Sequence, residues 1–112
     1  MFASIKEIEA SELARRLEET PKSIRVIDVR QMPEIMSGTV PGAEPIPMHT
    51  IPLRVSELNK DHDIAVLCRS GARSAQVCMF LQQQGFEKVY NVRGGIMAWA
   101  GGGQPVTLPQ AI

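Results

Sequence analysis

Short aliphatic or β-branched runs alternate with helix-forming stretches along this chain, and that alternation restricts the fold more than any other feature. Ile24-Arg25-Val26-Ile27-Asp28-Val29, Ile64-Ala65-Val66-Leu67-Cys68 and Lys88-Val89-Tyr90-Asn91-Val92 read as strands. Residues 9–19 read as an amphipathic helix with Leu13, Ala14 and Leu17 on one face, Ser11 as its N-cap and Pro21 as its stop. Residues 31–37 and 51–58 read as short helices, the first tolerating Pro33 near its opening turn. Residues 38–47, rich in proline and glycine around Ile46, read as a turn feeding a short strand. Residues 74–84 form a longer helix with Ala75, Cys78 and Leu81 inward, joined by Val77 or Gln82 and stopped by Gly85. A last helix covers 96–100. Strand alternating with helix at such short spacing specifies an α/β fold, a mostly parallel sheet with helices on both faces.

In such sheets, sites form beyond the carboxyl ends of the strands. Residues 64–68, the most apolar run and the expected central strand, end at Cys68. Residues 24–29 lead into Asp28-Val29-Arg30, so the two motifs are expected to share an edge. After Cys68 come Arg69, Ser70, Gly71, Ala72, Arg73 and Ser74, a short loop with two guanidiniums at the start of a helix. Positive charge, a helix N-terminus and inward-pointing N–H groups all favour a thiolate, and together they lower a free cysteine from about 8.5 by several units. Cys68 is therefore the expected nucleophile. Arg73 closes the loop, with a structural and an electrostatic role. Arg69 is expected to project outward toward an anionic donor or acceptor. Ser70 and Ser74 are candidate donors to sulfur, and Gly71 meets a backbone requirement. Asp28, Arg30 and Glu34 read as a polar network supporting the loop rather than as acid–base catalysts. Cys78, on the inner helix face, reads as packing.

Three segments together resemble the single-domain rhodanese family of sulfurtransferases: Val26 to Arg30 with Glu34 and Gly38-Thr39-Val40-Pro41-Gly42-Ala43; the Cys68 loop; and Gly94-Gly95-Ile96-Met97-Ala98-Trp99. The family usually carries a histidine where this chain has Thr39, and often an aromatic where it has Ile35. The resemblance implies a rhodanese-like sheet of about five strands, residues 1–100 as the domain and 101–112 as a flexible C-terminal tail. It also implies transfer of a sulfane sulfur, with thiosulfate as the first donor to consider and glutathione persulfide beside it. A protein sulfur acceptor is a further possible partner. Tyrosine-type phosphatases space the loop as Cys-x5-Arg; the Cys-x4-Arg loop here is one residue shorter and better sized for one extra sulfur than for a tetrahedral oxyanion. A sulfur-carrier module and an oxyanion enzyme of the same fold are the two alternatives.

A chain of 112 residues suffices for one domain. Its 12 basic and 12 acidic residues balance, which argues against nucleic acid or an anionic membrane as the main partner. No apolar run approaches the length of a membrane span, and the opening residues lack the apolar core of a signal peptide. Two cysteines without a CxxC pair suggest neither a disulfide framework nor a zinc site. His49 and His62 are expected at the surface, Trp99 against the sheet, and Met32, Met36 and Met97 along an apolar rim. The expectation is a cytoplasmic protein that needs no metal or organic cofactor.

Overall fold

The computed structural model describes residues 4–109. Its strands are β1 (Glu7–Ile8), β2 (Ile24–Asp28), β3 (Glu44–Pro45), β4 (Asp63–Leu67) and β5 (Val89–Val92). Its α-helices are α1 (Ala10–Glu19), α2 (Met32–Met36), α3 (Ile51–Arg54), α4 (Ala72–Gln83) and α5 (Gly95–Gly101). The strands form one sheet in the order β1-β5-β4-β2-β3, and every pairing is parallel. The most apolar strand is indeed central. Its side chains alternate between two cores: Ile64 and Val66 face one, Ala65 and Leu67 the other. Burial on both faces is why β4 shows no polar alternation.

The first core contains Ile51 of α3 and Val77, Cys78 and Leu81 of α4, with Ile27, Phe86 and Val89. The second contains Leu13 of α1 and Trp99 of α5, with Val26 and Val92. Helices therefore cover both faces, as expected. Val77 rather than Gln82 completes the inner side of α4, where Ser74 is also buried and Ala75 only partly so.

Local differences from expectation have tertiary causes. Helix α1 starts at Ala10 with Glu9 at the N-cap, and Ser11 lies exposed inside its first turn. Pairing of Ile8 with Val92 holds the preceding residue in the sheet, so the chain turns into helix sooner. Pro21 opens a 3-10 turn, Pro21–Ser23, rather than simply ending a helix. Helix α2 does carry Pro33 in its first turn, and Gln31 and Glu34 form a reciprocal capping box around it. The stretch 51–58 divides into α3 and a 3-10 turn, Val55–Glu57. Helix α4 begins two residues before the expected start, at Ala72, because Gly71 supplies a left-handed N-cap with φ 108°.

The glycine- and proline-rich segment after α5, expected to be flexible, is tied down in its described part. The Trp99 indole N–H donates to the Pro105 carbonyl at 2.7 Å. Thr39 and Thr107 exchange backbone hydrogen bonds of 2.8 and 2.9 Å as an isolated antiparallel bridge. No helix among the described residues is long and apolar enough to cross a membrane.

Candidate active site

Asp28 pairs in register with Leu67, and the Val29 N–H donates to the Leu67 carbonyl at 2.9 Å. The ends of β2 and β4 thus lie side by side, and the polar strand end is brought against the cysteine loop. Cys68 is only 1% exposed, whereas Arg69, Ser70 and Ala72 stand at the surface. The Gly71 N–H donates to Cys68 Sγ at 3.1 Å, and the Ser74 hydroxyl lies 3.3 Å from the same sulfur. Burial works against ionisation of this thiol. Hydrogen bonds from the Ser74 hydroxyl and from the Ser74, Gly71 and Ser70 N–H groups outweigh it, holding Cys68 below the ordinary cysteine value.

Helix α5 explains why the loop N–H groups point inward. Ile96 N–H donates to the Cys68 carbonyl at 2.9 Å, and Met97 N–H donates to the Arg69 carbonyl at 3.1 Å. In a trans peptide the carbonyl and the following N–H point oppositely, so drawing the Arg69 carbonyl toward α5 turns the Ser70 N–H toward sulfur. This contact needs glycine at position 95. A Cβ there would stand 2.4 Å from the Arg69 oxygen and 2.5 Å from the Cys68 oxygen, at a φ of 59°. The glycine pair of the third motif is thus the seat of the loop.

Arg69 is exposed, as expected, and Arg73, whose charge is coupled to that of Cys68, has a carboxylate partner as well. Arg73 makes a two-pronged ion pair with Glu34 of α2, at 2.7 and 2.9 Å, and so clamps the start of α4 to α2. The donors that lower the Cys68 thiol are the loop amides and Ser74, and Ser70 contributes through its backbone.

The Arg73 hydrogen bonds, opposed by partial burial and helped by the Gln31 N–H, pull Glu34 down to about 2 from 4.5. A carboxylate lowered on folding stabilises the folded state above its unfolded pKa and loses that contribution as pH falls through the folded one. Urea unfolding of wild type and Glu34→Gln should therefore differ by about 1 kcal/mol or less at neutral pH, since the pair is partly exposed. The difference should vanish as pH falls from 4.5 toward 2.

Asp28 and Arg30 form a buried pair, 0% and 5% exposed, joined through several hydrogen bonds, the shortest 2.8 Å. Arg30 also donates to the Gly38 carbonyl at 2.6 Å. Thr39 donates its hydroxyl to Asp28 Oδ2 at 2.7 Å. It therefore joins the buried network of Asp28 and Arg30 at the end of β2.

Asn91 was not singled out from the sequence, because a lone asparagine in a strand carries no local signal. It is buried on β5, donates to the Gly71 carbonyl at 3.1 Å and contacts the Ser74 hydroxyl. Cys78 is fully buried, and burial, with a smaller effect from the Cys68 charge, pushes its thiol up to about 12. Iodoacetamide at neutral pH should label Cys68 alone in the native protein and both cysteines after denaturation. Cys78→Ala should keep the turnover of the parent, and a large loss without loss of stability would assign Cys78 a chemical role. His49 is exposed and His62 half-buried, while Met32, Met36 and Met97 are exposed.

A model of the rhodanese-like domain matches residues 9–101. A protein named sulfurtransferase from Allochromatium vinosum is 46% identical over 106 residues, covering 95% of this chain and 98% of its own length. The thiosulfate sulfurtransferase GlpE of Shewanella oneidensis is 27% identical over 98 residues, 88% of this chain and 95% of that one. Among solved structures, a rhodanese-related protein from Thermoplasma volcanium superposes with a TM-score of 0.83 at 32% identity, covering 92% of this chain and 98% of that one. The buried acidic strand end, the cysteine loop and the glycine pair that seats it all fall inside the matched span, and the chain belongs to the family of rhodanese-like domains.

Proposed function

We propose that this protein is a sulfurtransferase that carries a sulfane sulfur on Cys68. The observation that bears most weight is the convergence of the Gly71 N–H at 3.1 Å and the Ser74 hydroxyl at 3.3 Å on a sulfur held below its ordinary pKa. The thiolate attacks the outer sulfur of a donor such as thiosulfate. A bond forms between Sγ and that sulfur, the donor S–S bond breaks, and its electron pair leaves with sulfite. The resulting persulfide bears its negative charge on the terminal atom, where inward N–H groups stabilise it. A thiophilic acceptor, cyanide or a thiolate, then removes the outer sulfur and regenerates the Cys68 thiolate. Splitting one transfer into two makes the kinetics ping-pong. Glutathione persulfide and a protein acceptor fit the same chemistry.

Each step balances without an external oxidant or reductant, so the scheme requires no metal or organic cofactor. Residues 1–100 are taken as the catalytic module, with 101–112 as its C-terminal extension. A thiolate that cycles with a persulfide calls for a reducing compartment, and the cytoplasm is the proposed one. Arg69 is exposed in the loop, which supports a role in meeting an anionic donor. Initial rates with thiosulfate and cyanide test the scheme. Parallel double-reciprocal lines are expected; intersecting lines, or no thiocyanate with any donor, would count against it. A preference of tenfold or more for a protein acceptor over small thiols would reassign the domain as a sulfur carrier.

A further inference from the structure

The Ser74 hydroxyl has a single proton and two partners that claim it. Asn91 Nδ2 donates to the Gly71 carbonyl at 3.1 Å. A carbonyl only accepts, so this bond fixes the side-chain amide, with Oδ1 turned to the Ser74 hydroxyl. Oδ1 also only accepts, and the Ser74–Asn91 contact therefore uses the Ser74 proton. Cys68 Sγ lies 3.3 Å from the same hydroxyl oxygen. A thiol can donate its own hydrogen to that oxygen, whereas a thiolate can only accept and needs the proton held by Asn91.

We propose that Asn91 is a positioning residue that competes with Cys68 for the Ser74 proton, opposing the free thiolate and favouring the loaded persulfide. In the thiol state Cys68 donates to Ser74, and Ser74 donates to Asn91. Ionisation releases the thiol proton to solvent, the Ser74 hydroxyl rotates to sulfur, and Asn91 Oδ1 loses its donor inside the protein. Leaving a buried acceptor unpaired is costly. When the outer sulfur arrives, negative charge moves from Sγ to the terminal atom before the loop amides. The hydroxyl then returns to Asn91. The persulfide half of this proposal rests on the sulfurtransferase reading; the competition for the proton does not.

Other charged or titratable groups surround the site. Arg69 and Arg73 come from the loop and α4, Asp28 and its partner Arg30 from the end of β2, and Glu34 from α2. Cys78 lies on α4, and β5 leads into Arg93, which is exposed and paired with Glu9. The hydrogen bonds to Sγ come from the Ser74 hydroxyl and from the Ser74, Gly71 and Ser70 N–H groups.

The test is a double-mutant cycle read by the rate of Cys68 alkylation against pH, resolved by peptide mass mapping, in the full chain with no sulfur donor present. Four proteins are compared: wild type, Ser74→Ala, Asn91→Leu and the double variant. Loss of the Gly71 anchor affects both proteins lacking Asn91 and cancels in the cycle. Ser74→Ala should slow alkylation at neutral pH in the parent. In the Asn91→Leu background, where the hydroxyl is free to serve sulfur full-time, it should slow alkylation by a factor about threefold larger. Equal factors in the two backgrounds, or a smaller one with leucine, would overturn the proposal. Should leucine at position 91 prevent folding, Asn91→Ala provides the same background and the same reading. Because no donor is present, coupling without any sulfur loading in a separate donor incubation would sink the sulfurtransferase reading and leave the competition standing. Loading without coupling would do the reverse.

Discussion

Cys68→Ser is expected to reduce sulfur transfer by at least about a thousandfold, to the level of reaction without enzyme. An alkoxide is far harder to generate than a thiolate, and serine cannot form the persulfide. The fold should remain intact. The new hydroxyl would keep the Gly71 N–H and the Ser74 hydroxyl as partners, so thermal unfolding should shift by about 1 kcal/mol or less. Thiocyanate production from thiosulfate and cyanide, beside a calorimetric scan, separates the two effects. Transfer near the parent rate would remove Cys68 from the mechanism. Transfer lost together with stability would leave its role open to a purely structural explanation.

Asp28→Ala is expected to destabilise the fold by about 3–5 kcal/mol, because it leaves a buried guanidinium without its partner. Asp28 accepts from the Arg30 backbone N–H as well as its side chain, and from the Thr39 hydroxyl, so one truncation orphans several donors. The Arg30–Gly38 contact survives but does not neutralise the charge. Replacing the pair together, as Asp28→Leu with Arg30→Met, should recover much of the loss, since well-packed apolar side chains often replace a buried ion pair at little cost. Denaturant unfolding of the parent and the two variants checks this. A single variant within about 1 kcal/mol of the parent would mean that Asp28 does not hold the strand end.

The place of Cys68 in the fold was readable because it follows from local chemistry. An apolar run with no polar alternation must be buried on both faces, and a cysteine at its end, followed by polar residues and glycine, must leave the sheet there. The requirement at Gly71 was readable in the same way and is met by a positive φ. The loop amides and Ser74 were readable as donors to sulfur as well, but what holds them in place was not. Arg73 is close to Cys68 in sequence, but its partner is Glu34, on a helix separated from it by two strands. That ion pair engages a charge that is also coupled to Cys68. The inward amides depend on Ile96 and Met97, which the sequence places in a distant helix.

Glycine-rich composition likewise misled after α5. Composition reports how freely a segment samples the unfolded state, whereas the bonds from Trp99 to Pro105 and between Thr39 and Thr107 are tertiary. Strand β1 escaped notice for a related reason. Two residues have no periodicity, and only their register with Asn91 and Val92 makes them a strand.

Intact-protein mass spectrometry after incubation with thiosulfate, and separately with glutathione persulfide, tests the central claim most directly. The protein should gain the mass of one sulfur atom with at least one donor, lose it on adding cyanide, and gain nothing as Cys68→Ser. A gain retained by Cys68→Ser, or no gain by the parent with any sulfane-sulfur donor, would contradict the assignment of Cys68 as the sulfur-carrying residue.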